Sequence, residues 1–163
     1  MMAFLVPLLL AVSVIAPAPQ KAPPPPANPG RAAQEDDIRE SLFRYQFSAE
    51  PLVFEYHFIA IENKSPSRNF LERFNADTPE VAPISDVERI RKPLREIVNK
   101  KDQKQGVIFD QDAIKWISDT KVDIVGHSEC GDTCEERSGT YHLSKQGDRW
   151  VVTSVDYTSK PVS

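Results

Sequence analysis

Between residues 17 and 29 the chain carries seven prolines, half of its 14: Pro17, Pro19, Pro23, Pro24, Pro25, Pro26 and Pro29. Each proline fixes φ and removes an amide donor, so this stretch cannot join a helix or a central strand. It is predicted to form an extended polyproline II spacer, rising about 3.1 Å per residue. A ligand for a proline-recognition domain is the other reading of such a run; a stalk ahead of a folded unit is the simpler one. Asn28-Pro29-Gly30 closes it, leaving about 130 of the 163 residues to fold. That length supports one hydrophobic core and not two.

Ahead of the prolines, residues 1–16 are almost wholly apolar, and the run is short of the roughly 20 residues that span a bilayer. Val14-Ile15-Ala16 and Ala16-Pro17-Ala18 both place tolerable residues where a signal peptidase reads, although no Lys or Arg precedes the run. The chain therefore divides into a signal peptide over 1–18, a proline-rich linker over 19–33 and a single domain over 34–160. A secreted or periplasmic protein is expected, held at a membrane only if the signal stays uncleaved. The net charge of −4 argues against a general nucleic-acid binder, and two cysteines cannot build a disulfide-dense scaffold. An apolar share of 40% is too high for a wholly disordered chain.

Within the domain, 34–49 reads as a helix: Asp36 and Asp37 can cap it, Asp37 with Glu40 mimics a capping box, and Pro51 stops it. Ile38, Leu42, Tyr45 and Ala49 form one apolar stripe, which should lie on a sheet. Phe43 and Phe47 fall on the other side and need a second partner, either another element or a second copy of the chain in a homodimer. Residues 52–61 are rich in aromatic and β-branched types and predict a strand covered on both faces. Ser67 should cap a short helix carrying Phe70, Leu71 and Phe74, the natural partner of Phe43 and Phe47. Residues 76–105 read as an irregular excursion, in which Ser85-Asp86-Val87-Glu88 resembles a capping box between Pro83 and Pro93. From Gly106 onward the pattern is all strand, with turns at Asp119-Thr120 and at Lys145-Gln146-Gly147-Asp148, where Gly147 can take positive φ. The expected fold class is α+β, a curved antiparallel sheet wrapped around a long N-terminal helix.

Three stretches carry a family resemblance: Glu35-Asp36-Asp37-Ile38-Arg39-Glu40-Ser41-Leu42-Phe43, Ile117-Ser118-Asp119-Thr120-Lys121-Val122, and Tyr141-His142-Leu143-Ser144-Lys145-Gln146-Gly147-Asp148-Arg149-Trp150-Val151-Val152. Together they frame about 34–160. Their order resembles the nuclear-transport-factor-2-like superfamily, the cystatin-like cone fold that includes polyketide-cyclase-like and ketosteroid-isomerase-like proteins. The resemblance implies a pocket between sheet and helices. It implies no reaction, since the fold hosts enzymes, binding modules and dimerisation domains alike. The acid/base pair of the enzymatic members has no residue-by-residue match here, and no catalytic residue is carried over.

Cys130 and Cys134, with His127 and His142, are the one clustered Cys/His set. Zn²⁺ could take two thiolates and two imidazoles, but the spacing is neither a knuckle nor a helical pair. In an exported chain a disulfide between Cys130 and Cys134 across a loop tip is the simpler outcome, free thiols being the third. Four nearby carboxylates, Glu129, Asp132, Glu135 and Glu136, would raise a thiol pKa and disfavour a nucleophile. His57 lies in an apolar strand and reads as a core histidine before a catalytic base. Asp110 and Asp112 read as a polar turn, without the surroundings of a calcium loop. Arg89, Arg91, Lys92, Arg95, Lys100, Lys101 and Lys104 stand against Glu96 and Asp102 in a basic run, which without interleaved aromatics reads as a solvated loop. Trp116 and Trp150 read as core residues before pocket lining. No cofactor is implied.

The leading functional expectation is a non-catalytic module that binds a small apolar ligand or a protein partner. The alternative is a small hydrolase or isomerase of the same fold, using His57 or Asp156 in the cone. The mature chain is expected to start between Pro17 and Gln20. N-terminal sequencing of exported protein checks this, and an intact Met1 on cytoplasmic protein contradicts it.

Overall fold

The computed structural model describes residues 29–49, 54–132 and 134–158. The predicted signal peptide, most of the predicted linker and the first residues of the predicted 52–61 strand lie outside them. Helix α1 runs Pro29–Ala49, beginning five residues ahead of the predicted Gln34 start. The cause is Pro29 itself, whose fixed φ suits the first turn of a helix, where no amide donor is needed. Asp37 and Glu40 consequently sit inside the helix. Instead of capping it they hold Arg73, whose Nη1 donates to both carboxylates at 2.8 Å. Arg44 completes this network, bonding Glu40, Asp77 and the carbonyl of Arg73.

Strand β1 (Tyr56–Ile61) is followed by the short helix α2 (Arg68–Leu71) and a 3-10 turn, Glu72–Phe74. As predicted, Ser67 caps α2, its hydroxyl accepting from the Phe70 amide. Next come β2 (Glu80–Pro83), a 3-10 turn at Ile84–Asp86, and the hairpin of β3 (Val87–Ile90) and β4 (Glu96–Asn99). The chain ends in β5 (Gly106–Gln111), β6 (Lys115–Ser118), β7 (Lys121–Glu129), β8 (Arg137–Gln146) and β9 (Arg149–Tyr157). The 76–105 excursion is thus ordered, and the apparent capping box at Ser85 opens no α-helix but leads directly into β3. Gly147 turns β8 into β9 with φ +61°.

The class is α+β, but the main sheet is mixed rather than antiparallel throughout. Its order is β2-β1-β5-β7-β8-β9, with β6 attached to β7. β1 runs parallel to both β2 and β5, and the later strands pair antiparallel. A parallel neighbour cannot be reached by a tight hairpin, so each of these pairings requires a crossover. One crossover contains α2, and the other adds the β3–β4 hairpin. β1 is buried along nearly its whole length, on both faces, as its composition implied.

Three apolar clusters fill the fold. Ile38 and Leu42 of α1 pack on Val122, Ile124, Tyr141, Leu143 and Trp150. Tyr45, placed by its spacing on the same stripe, is 36% exposed and meets Tyr141 edge-on at 6.0 Å. Phe43 and Phe47 pack with Phe70, Phe74 and Phe109 on the inner side of β1 and β5. The second side of α1 is therefore covered within one chain and needs no second copy. On the outer side of β1, Tyr56 and Phe58 meet Ala82, Val87, Ile97 and Ile108 beneath the β3–β4 hairpin. Trp150 is buried and Trp116 packs edge-on against it at 5.9 Å, so both tryptophans belong to packing.

Leu42→Ala is expected to cost roughly 2–5 kcal/mol, the range for a buried leucine. Replacing Phe43 and Phe47 together should release α2 from α1. Denaturant titration reads the first effect, and the α2 amide signals the second. A midpoint independent of protein concentration would accompany both, because the helix is covered within one chain.

Candidate functional site

The space between α1 and the sheet is filled by side chains, several of them without any exposed area: Phe43, Ile59, Leu42, Ile38 and Val107. The cleft lies on the other face. It has a volume of about 430 Å³ and is lined by Ala60, Asn63, Ile84, Arg89, Ile108, Asp110, Asp112, His127 and Glu129. Four separate segments supply these residues, and the two crossovers bring them together. Ala60 and Ile108 are the outward residues of β1 and β5 and provide an apolar floor. His127 and Glu129 are outward residues of β7. Arg89 comes from β3 and closes one side through two bonds to Glu129, at 3.2 and 2.9 Å.

Asp110 and Asp112 supply the remaining acids of the lining. Asp110 Oδ1 accepts from the Asn63 amide at 3.2 Å. Asn63 follows Glu62 in a turn where both residues take positive φ, 61° and 52°. Asp112 Oδ2 lies 3.6 Å from His127 Nε2, and His127 Nδ1 shares a 3.0 Å bond with the Ser138 hydroxyl. The cleft lining thus holds three carboxylates and one guanidinium, which is paired with one of them, Glu129. Arg39, a buried residue of α1, donates to the Asp112 carbonyl at 3.1 Å and pairs with Glu62 at 3.8 Å. Burial pulls its pKa down, and Glu62 is the foremost of the carboxylates, Asp110 among them, that raise it.

Asp110 and Asp112, read as a turn, therefore form part of the cleft. Four cations of the basic run around 89–104 are engaged: Arg89 binds Glu129, Arg95 binds Asp132 and Glu136, Lys100 donates to the Ser85 carbonyl and Lys104 pairs with Asp102. Cys130 and Cys134 are disulfide-bonded, which settles the three-way choice. Among the described residues no group of three or more His, Cys, Asp or Glu side chains is arranged to hold a metal ion. His127 and His142 lie against carboxylates of their own, Asp112 and Asp123.

Ser138, His127 and Asp112 have the composition of a hydrolytic relay but the wrong connections. Serine sits on Nδ1, and the carboxylate is 3.6 Å from Nε2. Ser138 also lies in a regular stretch of β8, without the sharp turn that presents a nucleophile. The alternative catalytic residues do not converge. His57 is 4% exposed on the inner face, its ring 4.4 Å from that of Phe47 and 5.3 Å from that of Phe109. Asp156 is on the outer face, 3.1 Å from His142 Nε2, while Asp123 holds His142 Nδ1 at 2.7 Å. With both ring nitrogens engaged, His142 is an ion-pair centre and not a base.

No family model, no curated protein and no solved structure matches the chain. No helix among the described residues is long and apolar enough to cross a membrane.

The two histidines give stability opposite pH dependences. Burial pushes His57 down from 6.5 to about 4, so it is neutral in the fold and protonates first in the unfolded chain. Stability is then lost as pH falls from about 6.5 toward 4, by roughly 3 kcal/mol from this group. Asp123 and then Asp156 raise His142 above 6.5. Its contribution is complete below 6.5 and is lost as pH rises through the raised value. Denaturant midpoints measured from pH 4 to 8 should show His57→Phe flattening the acid side and His142→Gln flattening the neutral side.

Proposed function

We propose that this chain is an exported, non-catalytic binding module whose outer-face cleft takes an ammonium or guanidinium group, on a small ligand or on a protein partner. The observation that carries this reading is the placement of open space. The interior, where a cone-fold enzyme would hold its substrate, is occupied by Phe43, Phe47, Phe70, Phe74 and Phe109. The cleft on the opposite face instead combines an apolar floor with three carboxylates and one guanidinium. A long helix packed on one face of an α+β sheet supports the cone-like reading of the fold. The disulfide fits an oxidising compartment, and with it the secreted or periplasmic reading.

The ligand class follows from charge and shape. A wholly apolar ligand would cover the carboxylates of Asp110 and Asp112 without bonding them, which is costly. A cation on a short aliphatic stem satisfies the acids and lays its methylenes on Ala60 and Ile108. Asp112 and His127 keep 48% and 44% of their side-chain surface exposed, so water screens the contact. Affinity is modest for that reason, and salt weakens it.

The test uses spermidine as the probe, with an uncharged diol of similar length as control. Nuclear magnetic resonance titration should show saturable shifts at Asn63, Asp112 and His127 with spermidine alone. Asp110→Asn with Asp112→Asn should weaken binding at least about tenfold, equivalent to 1.4 kcal/mol. Equal shifts with the diol, or none with spermidine, would overturn the reading.

A further inference from the structure

The Cys130–Cys134 loop grips the turn of the β3–β4 hairpin. The Asp132 amide donates to the Arg95 carbonyl at 2.8 Å, and the Arg95 amide donates back to Asp132 Oδ2 at 2.8 Å. The Arg95 guanidinium donates to the Gly131 carbonyl at 3.3 Å and pairs with Glu136 at 2.7 Å. Gly131 has φ +73°, and a Cβ at this position would overlap the Arg95 carbonyl. Glycine is therefore what lets the two backbones meet. One residue before the disulfide, Glu129 holds Arg89, the cleft wall contributed by β3.

A disulfide between residues four apart closes too short a loop to restrict the unfolded chain strongly. Its effect must then be local, on the shape of the tip that it closes, and the tip's partners are on the hairpin. We propose that the Cys130–Cys134 disulfide is a redox latch, holding the β3–β4 hairpin in place as the wall of the cleft. Reduction loosens the hairpin and weakens binding while the rest of the sheet stays folded. The effect on binding rests on the cation-cleft reading; the effect on the hairpin does not.

The reductant is a dithiol. Cys130 is only 1% exposed, so the thiolate attacks the half-buried Cys134 sulfur. The protein S–S bond breaks, and Cys130 leaves as a thiolate that takes up a proton. The second thiol of the reductant then displaces Cys134, which is also protonated. Two protein thiols are gained, and the dithiol becomes a cyclic disulfide.

Hydrogen exchange on the full chain, with and without dithiothreitol, tests the latch. Amides of β3 and β4 should exchange at least about tenfold faster after reduction, while those of β7 to β9 change less than about twofold. Gly131→Ala with its disulfide intact should give the same hairpin pattern, because the added methyl separates tip and hairpin without any redox change. Spermidine affinity should fall alongside in both cases. Unchanged hairpin exchange on reduction, or equal loosening of the whole sheet, would overturn the latch. So would a loosened hairpin with undiminished spermidine affinity. If oxidised protein binds no spermidine, the cation reading fails, and the exchange experiment still decides whether the disulfide holds the hairpin.

Discussion

The parallel pairing of β1 on both of its edges is the constraint from which the rest of the architecture follows. Tyr56–Ile61 lies in register with β2 on one side and β5 on the other. Neither neighbour can be reached by a tight turn, so chain must cross a face of the sheet each time. The first crossing supplies Phe70 and Phe74 to the inner face, where they cover Phe43 and Phe47. The second adds Val87 and Ile97 on the outer face, where they cover Phe58 and Ile108. A strand whose outward residues include Tyr56, Phe58 and Ala60 could not face water. The crossing segment buries them, and the cleft lies where that cover gives way to the outward side chains of β7.

Charge then fixes how the crossovers sit. On the inner side, Arg73 of the 3-10 turn after α2 pairs with Asp37 and Glu40 of α1, and Arg44 of α1 pairs with Asp77 beyond that turn. On the outer side, Arg89 and Arg95 tie the hairpin to Glu129, Asp132 and Glu136. Each pair is at least partly exposed and contributes little alone. Their joint effect is positional: two short elements with few apolar residues of their own are held at one place on a larger sheet.

These couplings also explain what could be read from the sequence. Period-3.6 spacing revealed both apolar sides of α1, because Ile38, Leu42, Phe43 and Phe47 repeat over several turns. Ser67 and Gly147 act locally through a cap and a turn, so their roles were visible without any tertiary knowledge. Strands β2, β3 and β4 have four residues each, too few for alternation to stand out against Pro79, Pro83 and Pro93. The parallel direction of β1 leaves no local mark at all, since it depends on where the chain returns. Asp37 and Glu40 misled for a related reason. An acidic pair near a helix start suits capping, and only the position of Arg73 in space shows the other use. The cleft was hidden in the same way. Asp110, Asp112, Arg89 and His127 were each visible as polar residues, but they share a site through two crossovers and no common motif.

The same topology separates stability from binding. On the inner face His57 lies among aromatic rings: an imidazole held neutral, its ring packed against Phe47 and Phe109. Such a group stabilises the fold at neutral pH but has no room to meet a substrate. On the outer face the hairpin covers only part of the sheet, so carboxylates such as Asp112 stay partly exposed beside apolar surface. The cation proposed to bind there would reach these carboxylates without rearrangement of the core. A ligand there would touch β1, β3, β5 and β7 while leaving the contacts of α1 unchanged. Under the proposed reading, recognition would vary through the hairpin and its Arg89 wall, while the aromatic interior keeps the fold.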